Sequence, residues 1–223
     1  GNAGVVINNS VTSVDSNINI TGFGNTASSE GYNRGVHALG TIQATQSGNI
    51  TITGTGGSGT NRNVGVEING FSNITSALGT VRISGQGGSG TADVNTGILS
   101  AGNITGGAVN LSGTGGLGTS SNHGVLALPN RSITSTGDLS VVGTGGSGTN
   151  FNRGAYLGSN LTTNGNITIT GTQGSGSDSE AIALRVNSVV LNGIGDLTLS
   201  SNTVHLSAGT IFTGNGGDLS IAP

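Results

Sequence analysis

The chain has 223 residues, of which 45 are glycine, 7% are charged and 3% aromatic, with a formal net charge of −3. Its six cations are all arginine and lie scattered along the chain, not the clustered basic face that a nucleic-acid binder needs; there is no cysteine for a disulfide framework, a thiolate nucleophile or a Cys-based metal site, and no apolar run approaches the roughly 20 residues of a membrane helix. Glycine and polar residues at this density point towards disorder, yet the 32% of hydrophobic residues recur at fixed places, and that periodicity argues for a fold.

The recurring motif is Gly-Val-x-apolar, with units starting at Gly4, Gly35, Gly65, Gly97, Gly124, Gly154, Ala181 and Thr203. Each unit holds three short β-like pieces. Successive side chains of a strand point to opposite faces, so the first piece turns inward Val36 and Ala38, Val66 and Ile68, Val125 and Ala127, Ala155 and Leu157, Ile182 and Leu184, and Val204 and Leu206. The second piece supplies one main apolar residue per unit: Val11, Ile42, Ile74, Ile104, Ile133, Leu161, Val189 and Ile211. The third supplies pairs such as Ile18 and Ile20, Ile50 and Ile52, Val81 and Ile83, Ile167 and Ile169, and Leu219 and Ile221. A glycine-rich run such as "GTGGSGT" follows the third piece in the first six units and is missing from the last two, so it reads as an excursion from a core coil of roughly 20 residues.

Stacking these units about 4.8 Å apart makes three parallel sheets around a narrow aliphatic core. The expected fold is therefore all-β: a right-handed parallel β-helix, three-sided, of about eight coils, with glycine-rich inserts in the first six and a single domain over residues 1–223. Asn69-Gly70, Asn164-Gly165 and Asn192-Gly193 would also suit the hairpins of an antiparallel sandwich. A sandwich has no reason to repeat one three-piece order in every unit. The chain opens on a glycine with nothing like a signal peptide before it, and is expected to be a processed or excised piece of a longer one.

Chemistry is harder to find. "GTGGSGT" leads into no helix and no lysine follows it, so it is read as structural rather than as a phosphate loop. Neither "GGSGTADVN" nor "QGSGSDSEA" keeps the register of a calcium nonapeptide. Asp196 and Asp218 occupy equivalent corners of adjacent units, which makes them candidates for a shared cation or an acid/base pair, although turn preference already explains aspartate there. His37, His123 and His205 lie in separate units and are read as surface positions. No cofactor is expected. Two outward rows remain. On the third piece a polar ladder includes Thr51, Asn110, Ser140, Thr168 and Thr198, a hydroxyl-rich face like that of ice-binding solenoids but broken by Arg82. On the first piece Leu99, Leu126, Tyr156 and Ala183 form an apolar stripe, either a lateral docking surface or ground covered by a folded-back insert.

The "NITITGTGGSGT" units, the "GV.AL" starts, the absence of cysteine and the scarcity of lysine resemble the β-solenoid repeats of filamentous haemagglutinin-like exoproteins and autotransporter passenger domains of bacteria. The resemblance implies a segment of a large secreted or surface-tethered protein and an adhesive role. The expected function is thus a non-enzymatic rod or fibre module, extracellular or on the bacterial surface, whose partners are other copies of itself or cell-surface glycans. The alternatives are an ice-binding solenoid, through the polar ladder, and a carbohydrate-active β-helix, a lyase or hydrolase, which needs clustered carboxylates and sugar-stacking aromatics; nine acids and six aromatics spread over the chain do not supply them visibly.

Overall fold

A computed structural model of the chain describes residues 2–185, 189–207 and 212–223. Among the described residues there is no helix, and almost every strand belongs to one of three eight-stranded, wholly parallel sheets wound into a β-solenoid. The first sheet runs from Val5–Ile7 through strands such as Val66–Ile68 to Val204–Leu206, the second from Val11–Ser13 to Phe212–Thr213, and the third from Ile18–Phe23 to Leu219–Ala222. One strand of each sheet follows the next along the chain, so every unit crosses all three.

The period-2 alternation sets which side chains enter. In the third sheet Ile18, Ile50, Val81, Val109, Leu139, Ile167, Leu197 and Leu219 pair in one unbroken row. From Ile50 to Ile167 the members of this row are fully buried, as are Ile42, Ile74, Ile104, Ile133 and Leu161 of the second sheet. Each buried aliphatic contributes roughly 1.5–3 kcal/mol, and neighbours above and below are required for that burial. Val11, Leu206, Leu219 and Ile221 hold the same phase but are 36–53% exposed, because the terminal coils have a neighbour on one side only. In the second sheet Phe212 rather than Ile211 pairs with Val189. Ile211 itself lies outside the described residues.

The second strand has a further inward position, and it is often a hydroxyl. Ser76 Oγ donates to Gly48 O at 2.7 Å, Ser135 Oγ to Gly107 O at 3.1 Å, and Thr163 Oγ1 to Gly137 O. Each donates to a carbonyl of the corner before the third strand; those of Gly107 and Gly137 also accept the backbone N–H of the next coil's corner, and that of Gly48 takes its donor from Ser76.

The glycine-rich inserts are integrated more deeply than an excursion implies. The first glycine of each run and the residue after it close the third strand, as Gly143 and Thr144 do in Leu139–Thr144 and Gly85 and Gln86 in Thr80–Gln86. A Cβ at Gly85 would overlap the carbonyl of Gly97 across the next corner, which is why this position holds glycine. Beyond the strand the inserts stack on one another: Ser58–Gly59 pairs with Ser89–Gly90, and single bridges continue through Leu117 and Ser147. Their return paths carry a row of asparagines, Asn33, Asn63, Asn95, Asn122 and Asn152, all fully buried. Asn122 Oδ1 accepts from the backbone N–H of Asn95 at 3.0 Å, and Asn152 Oδ1 from that of Asn122 at 3.0 Å; Asn122 Nδ2 donates to Ser147 O at 3.0 Å. The same pattern recurs from Asn33 onwards, and Ser179 Oγ takes the asparagine's place beneath Asn152.

The residue before each of these positions has a positive φ: Tyr32 (65°), Arg62 (52°), Val94 (65°), Ser121 (57°), Phe151 (54°) and Asp178 (50°). A β-branched residue such as Val94 enters this left-handed region only where its surroundings impose it. Here the buried amide directly after it imposes the turn.

Candidate functional site

The turn that precedes each buried asparagine also decides where the charges go. Twice the chain reads aromatic-Asn-Arg-Gly, as Tyr32-Asn33-Arg34-Gly35 and Phe151-Asn152-Arg153-Gly154. The left-handed residue points outward, the asparagine inward, and the arginine lands beside the outward face of the first sheet. Around the first motif Arg34 ion-pairs with Glu67, which is 5% exposed, and Arg62 Nη2 joins the same carboxylate at 3.2 Å. Both guanidiniums lie against the Tyr32 ring, at 4.9 and 5.4 Å from its centroid. Burial would raise the Glu67 pKa, but the two arginines and the hydrogen bonds from Arg34 hold it below the usual carboxylate range. His37, next to Glu67 in the sheet, is pushed towards its neutral form by burial and by the arginine charges.

Around the second motif Arg153 ion-pairs with Glu180, whose other oxygen lies 3.4 Å from His205 Nδ1. The Arg153 guanidinium also covers Phe151 at 5.1 Å and Tyr156 at 5.2 Å, and Arg185 approaches Tyr156 at 5.7 Å. The His123 ring stacks on Tyr156, centroids 5.7 Å apart, and its Nδ1 accepts from the Arg153 N–H at 3.3 Å. His123 is 5% exposed, so the expectation of a surface histidine is corrected: burial first, and then the Arg153 charge, lower its pKa to about 4.

This buried neutral histidine ties stability to pH. The folded protein keeps His123 neutral down to about pH 4, whereas the unfolded chain takes up the proton near 6.5, so unfolding binds a proton in that window. Stability should therefore fall by about 3 kcal/mol between pH 6.5 and pH 4. Below about pH 4.5 protonation of Glu67 and Glu180, whose folded pKa values are also depressed, adds to the loss. In urea titrations the His123→Gln variant should give a flatter profile between pH 6.5 and 4.5; a profile as steep as that of the parent would refute the assignment.

The apolar stripe expected on the first sheet is in register, Leu99 beside Leu126, Tyr156 and Ala183. It is not an open surface, however. Leu99 is 5% exposed and Ala183 fully buried, while Leu126 and Tyr156 are half-buried, and the arginine and histidine side chains just described crowd Tyr156. On the third sheet Thr51, Asn110, Ser140, Thr168 and Thr198 form one outward row, half-buried, with exposed Arg82 between Thr51 and Asn110. Asp196 and Asp218 are exposed at adjacent corners, where Asp196 Oδ1 caps the backbone N–H of Asp218 at 2.9 Å; Asn166 Oδ1 does the same for Asp196. Among the described residues no group of three or more His, Asp or Glu side chains is placed to hold a metal.

The glycine runs line a groove of about 540 Å³ along the inserts, with Gly57, Gly88, Gly116 and Gly146 in its floor and Thr55, Gln86 and Leu117 also lining it. Stacking is tight there. A Cβ at Gly88 would overlap the Gly57 carbonyl. The run thus packs coil on coil, and no helix N-terminus adjoins it to cradle a phosphate.

Comparison with protein-family models, with curated proteins and with solved structures finds no match for this chain.

Proposed function

We propose that this chain is a non-enzymatic rod segment of a secreted or cell-surface bacterial protein, which extends a fibre or adhesin and offers repetitive polar faces for contact. The observation that carries the reading is the continuity of the three parallel ladders, in which successive side chains serve stacking rather than converge on a cleft. The acids fit this. Glu67 and Glu180 are held by arginines, and the carboxylates of Asp138 and Asp196 each cap the backbone amide of the next corner, as the Asn166 side chain does between them. Among the described residues no helix is long and apolar enough to cross a membrane. The kinship with filamentous haemagglutinin-like or autotransporter repeats belongs to this proposal, resting on the repeat motifs and the solenoid alone.

The competing carbohydrate-active reading requires an acid/base pair, and Asp196 with Asp218 is the pair to test. Incubating the protein with acidic and neutral polysaccharides, with and without calcium, should release no new reducing ends. Cleavage that disappears in Asp196→Ala or Asp218→Ala would overturn the rod reading, because removal of a general acid or base lowers a rate by about 10²–10⁴-fold.

A further inference from the structure

The sequence scatters its arginines, but winding gathers four of the six, with both tyrosines and Phe151, along one edge of the solenoid: Arg34, Arg62 and Arg153 just before strands of the first sheet and Arg185 just after one, its guanidinium reaching back to Tyr156. They form two stations on the same row of left-handed turns. The turn residues at 32, 62, 94, 121 and 151 each donate their backbone N–H to the next coil, so Tyr32 and Phe151 are four coil steps apart, ~19 Å at the spacing of paired strands.

At each station cations exceed acids in direct contact. Arg34 and Arg62 share Glu67; Arg62 is 35% exposed and uses one of its five N–H groups on that carboxylate. His37 Nε2 and Arg62 Nε in the same cluster have no hydrogen-bond partner. At the second station Arg153 holds Glu180, while exposed Arg185 rests on the Tyr156 ring and has no acid partner among the described residues. Tyr32 and Phe151 are 44% and 39% exposed, so apolar ring surface adjoins guanidinium at both places. Between the stations the row changes character. Exposed Asp93 lies there, fixed by a 2.9 Å hydrogen bond from Ser120, and Asp178 follows Phe151 by one coil.

A ligand for this edge needs an anionic group that a planar guanidinium can fork, C–H surface to lie on an aromatic ring, and a low density of negative charge where it passes Asp93. We infer that the edge binds a sparsely charged acidic glycan, in which carboxylate-bearing sugars alternate with neutral ones, seated with its carboxylates at the Arg62 and Arg185 stations. The buried asparagine row supports the turns that carry the rings, so little ordering is left to binding. This rests on the adhesive side of the function proposed above.

The test is binding of hyaluronate oligosaccharides to the whole chain at 0.15 M salt, by calorimetry, against neutral dextran and the densely charged polygalacturonate and dextran sulfate. Hyaluronate should bind most tightly. Arg62→Gln and Arg185→Gln should each weaken it about 10-fold, whereas Arg82→Gln, on the third sheet, should leave it within about twofold; circular dichroism confirms the fold of each. The inference is overturned if hyaluronate does not bind, if a densely charged or neutral polymer binds as tightly, or if Arg82→Gln weakens binding as much as Arg62→Gln and Arg185→Gln. Such failure would leave the rod reading intact, since that one falls only on new reducing ends.

Discussion

Replacing Asn95 with alanine should destabilise the protein by about 3–5 kcal/mol and broaden its unfolding. The side chain is fully buried between coils; its Nδ2 donates to Ala92 O at 3.0 Å and Leu117 O at 2.8 Å, and its Oδ1 accepts from Asn63 N at 3.2 Å and Asn63 Nδ2 at 2.9 Å. Alanine removes all four bonds and strands the Asn63 backbone amide in a buried place, where each unsatisfied group costs roughly 1–3 kcal/mol. It also releases the left-handed turn at Val94, which has no intrinsic reason to hold that conformation. Asn95→Asp should be worse than alanine, because a buried carboxylate would face the Ala92 and Leu117 carbonyls where an amide donated. Thermal melts followed at the β-sheet band of circular dichroism measure both. A melting temperature within 2 °C of the parent for Asn95→Ala would mean that the row is not structural, given about 2–4 °C per kcal/mol for a chain of this size.

Ile169→Asp should do still more damage. Ile169 is fully buried, paired with Val141 on one side and Leu199 on the other, and no hydrogen-bond donor belongs to that aliphatic stack. A carboxylate there loses the roughly 1.5–3 kcal/mol of the isoleucine and adds the desolvation of a charge, so the coils around it should lose protection from hydrogen exchange at neutral pH. Its neighbour Thr168 faces outward and is half-buried, and Thr168→Asp should change stability by less than about 1 kcal/mol. The contrast between adjacent residues is the measurement. Equal effects would mean that the alternation of faces is wrong by one residue.

The row that includes Asn95 had a visible trace: an asparagine stands two places before the unit glycine in Asn33-Arg34-Gly35, Asn63-Val64-Gly65, Asn95-Thr96-Gly97, Asn122-His123-Gly124 and Asn152-Arg153-Gly154. Asparagine beside glycine reads as a solvated turn, since both tolerate unusual backbone angles, and nothing local says that the amide is buried. Only a neighbour at the same phase of the next coil turns a turn residue into a buried donor and acceptor.

Sequence alone determined the three strands of each unit, their parallel stacking and the inward identity of residues such as Ile52, Leu111 and Ile169. Side-chain direction in a strand alternates with a period of two whatever lies beyond it, and recurrence every 22 to 32 residues leaves stacking as the way to bury all those faces together. Tertiary structure decided where the inserts return, and with them the sites. Arg34 meets Glu67 33 positions on, Arg153 meets Glu180 27 positions on, and His123 is buried beneath Tyr156 and Arg153, because the path of a glycine-rich insert has no period from which it can be read. Those contacts depend on the height of one coil over the next and on left-handed turns at residues with no local preference for them, and packing between coils is what supplies both.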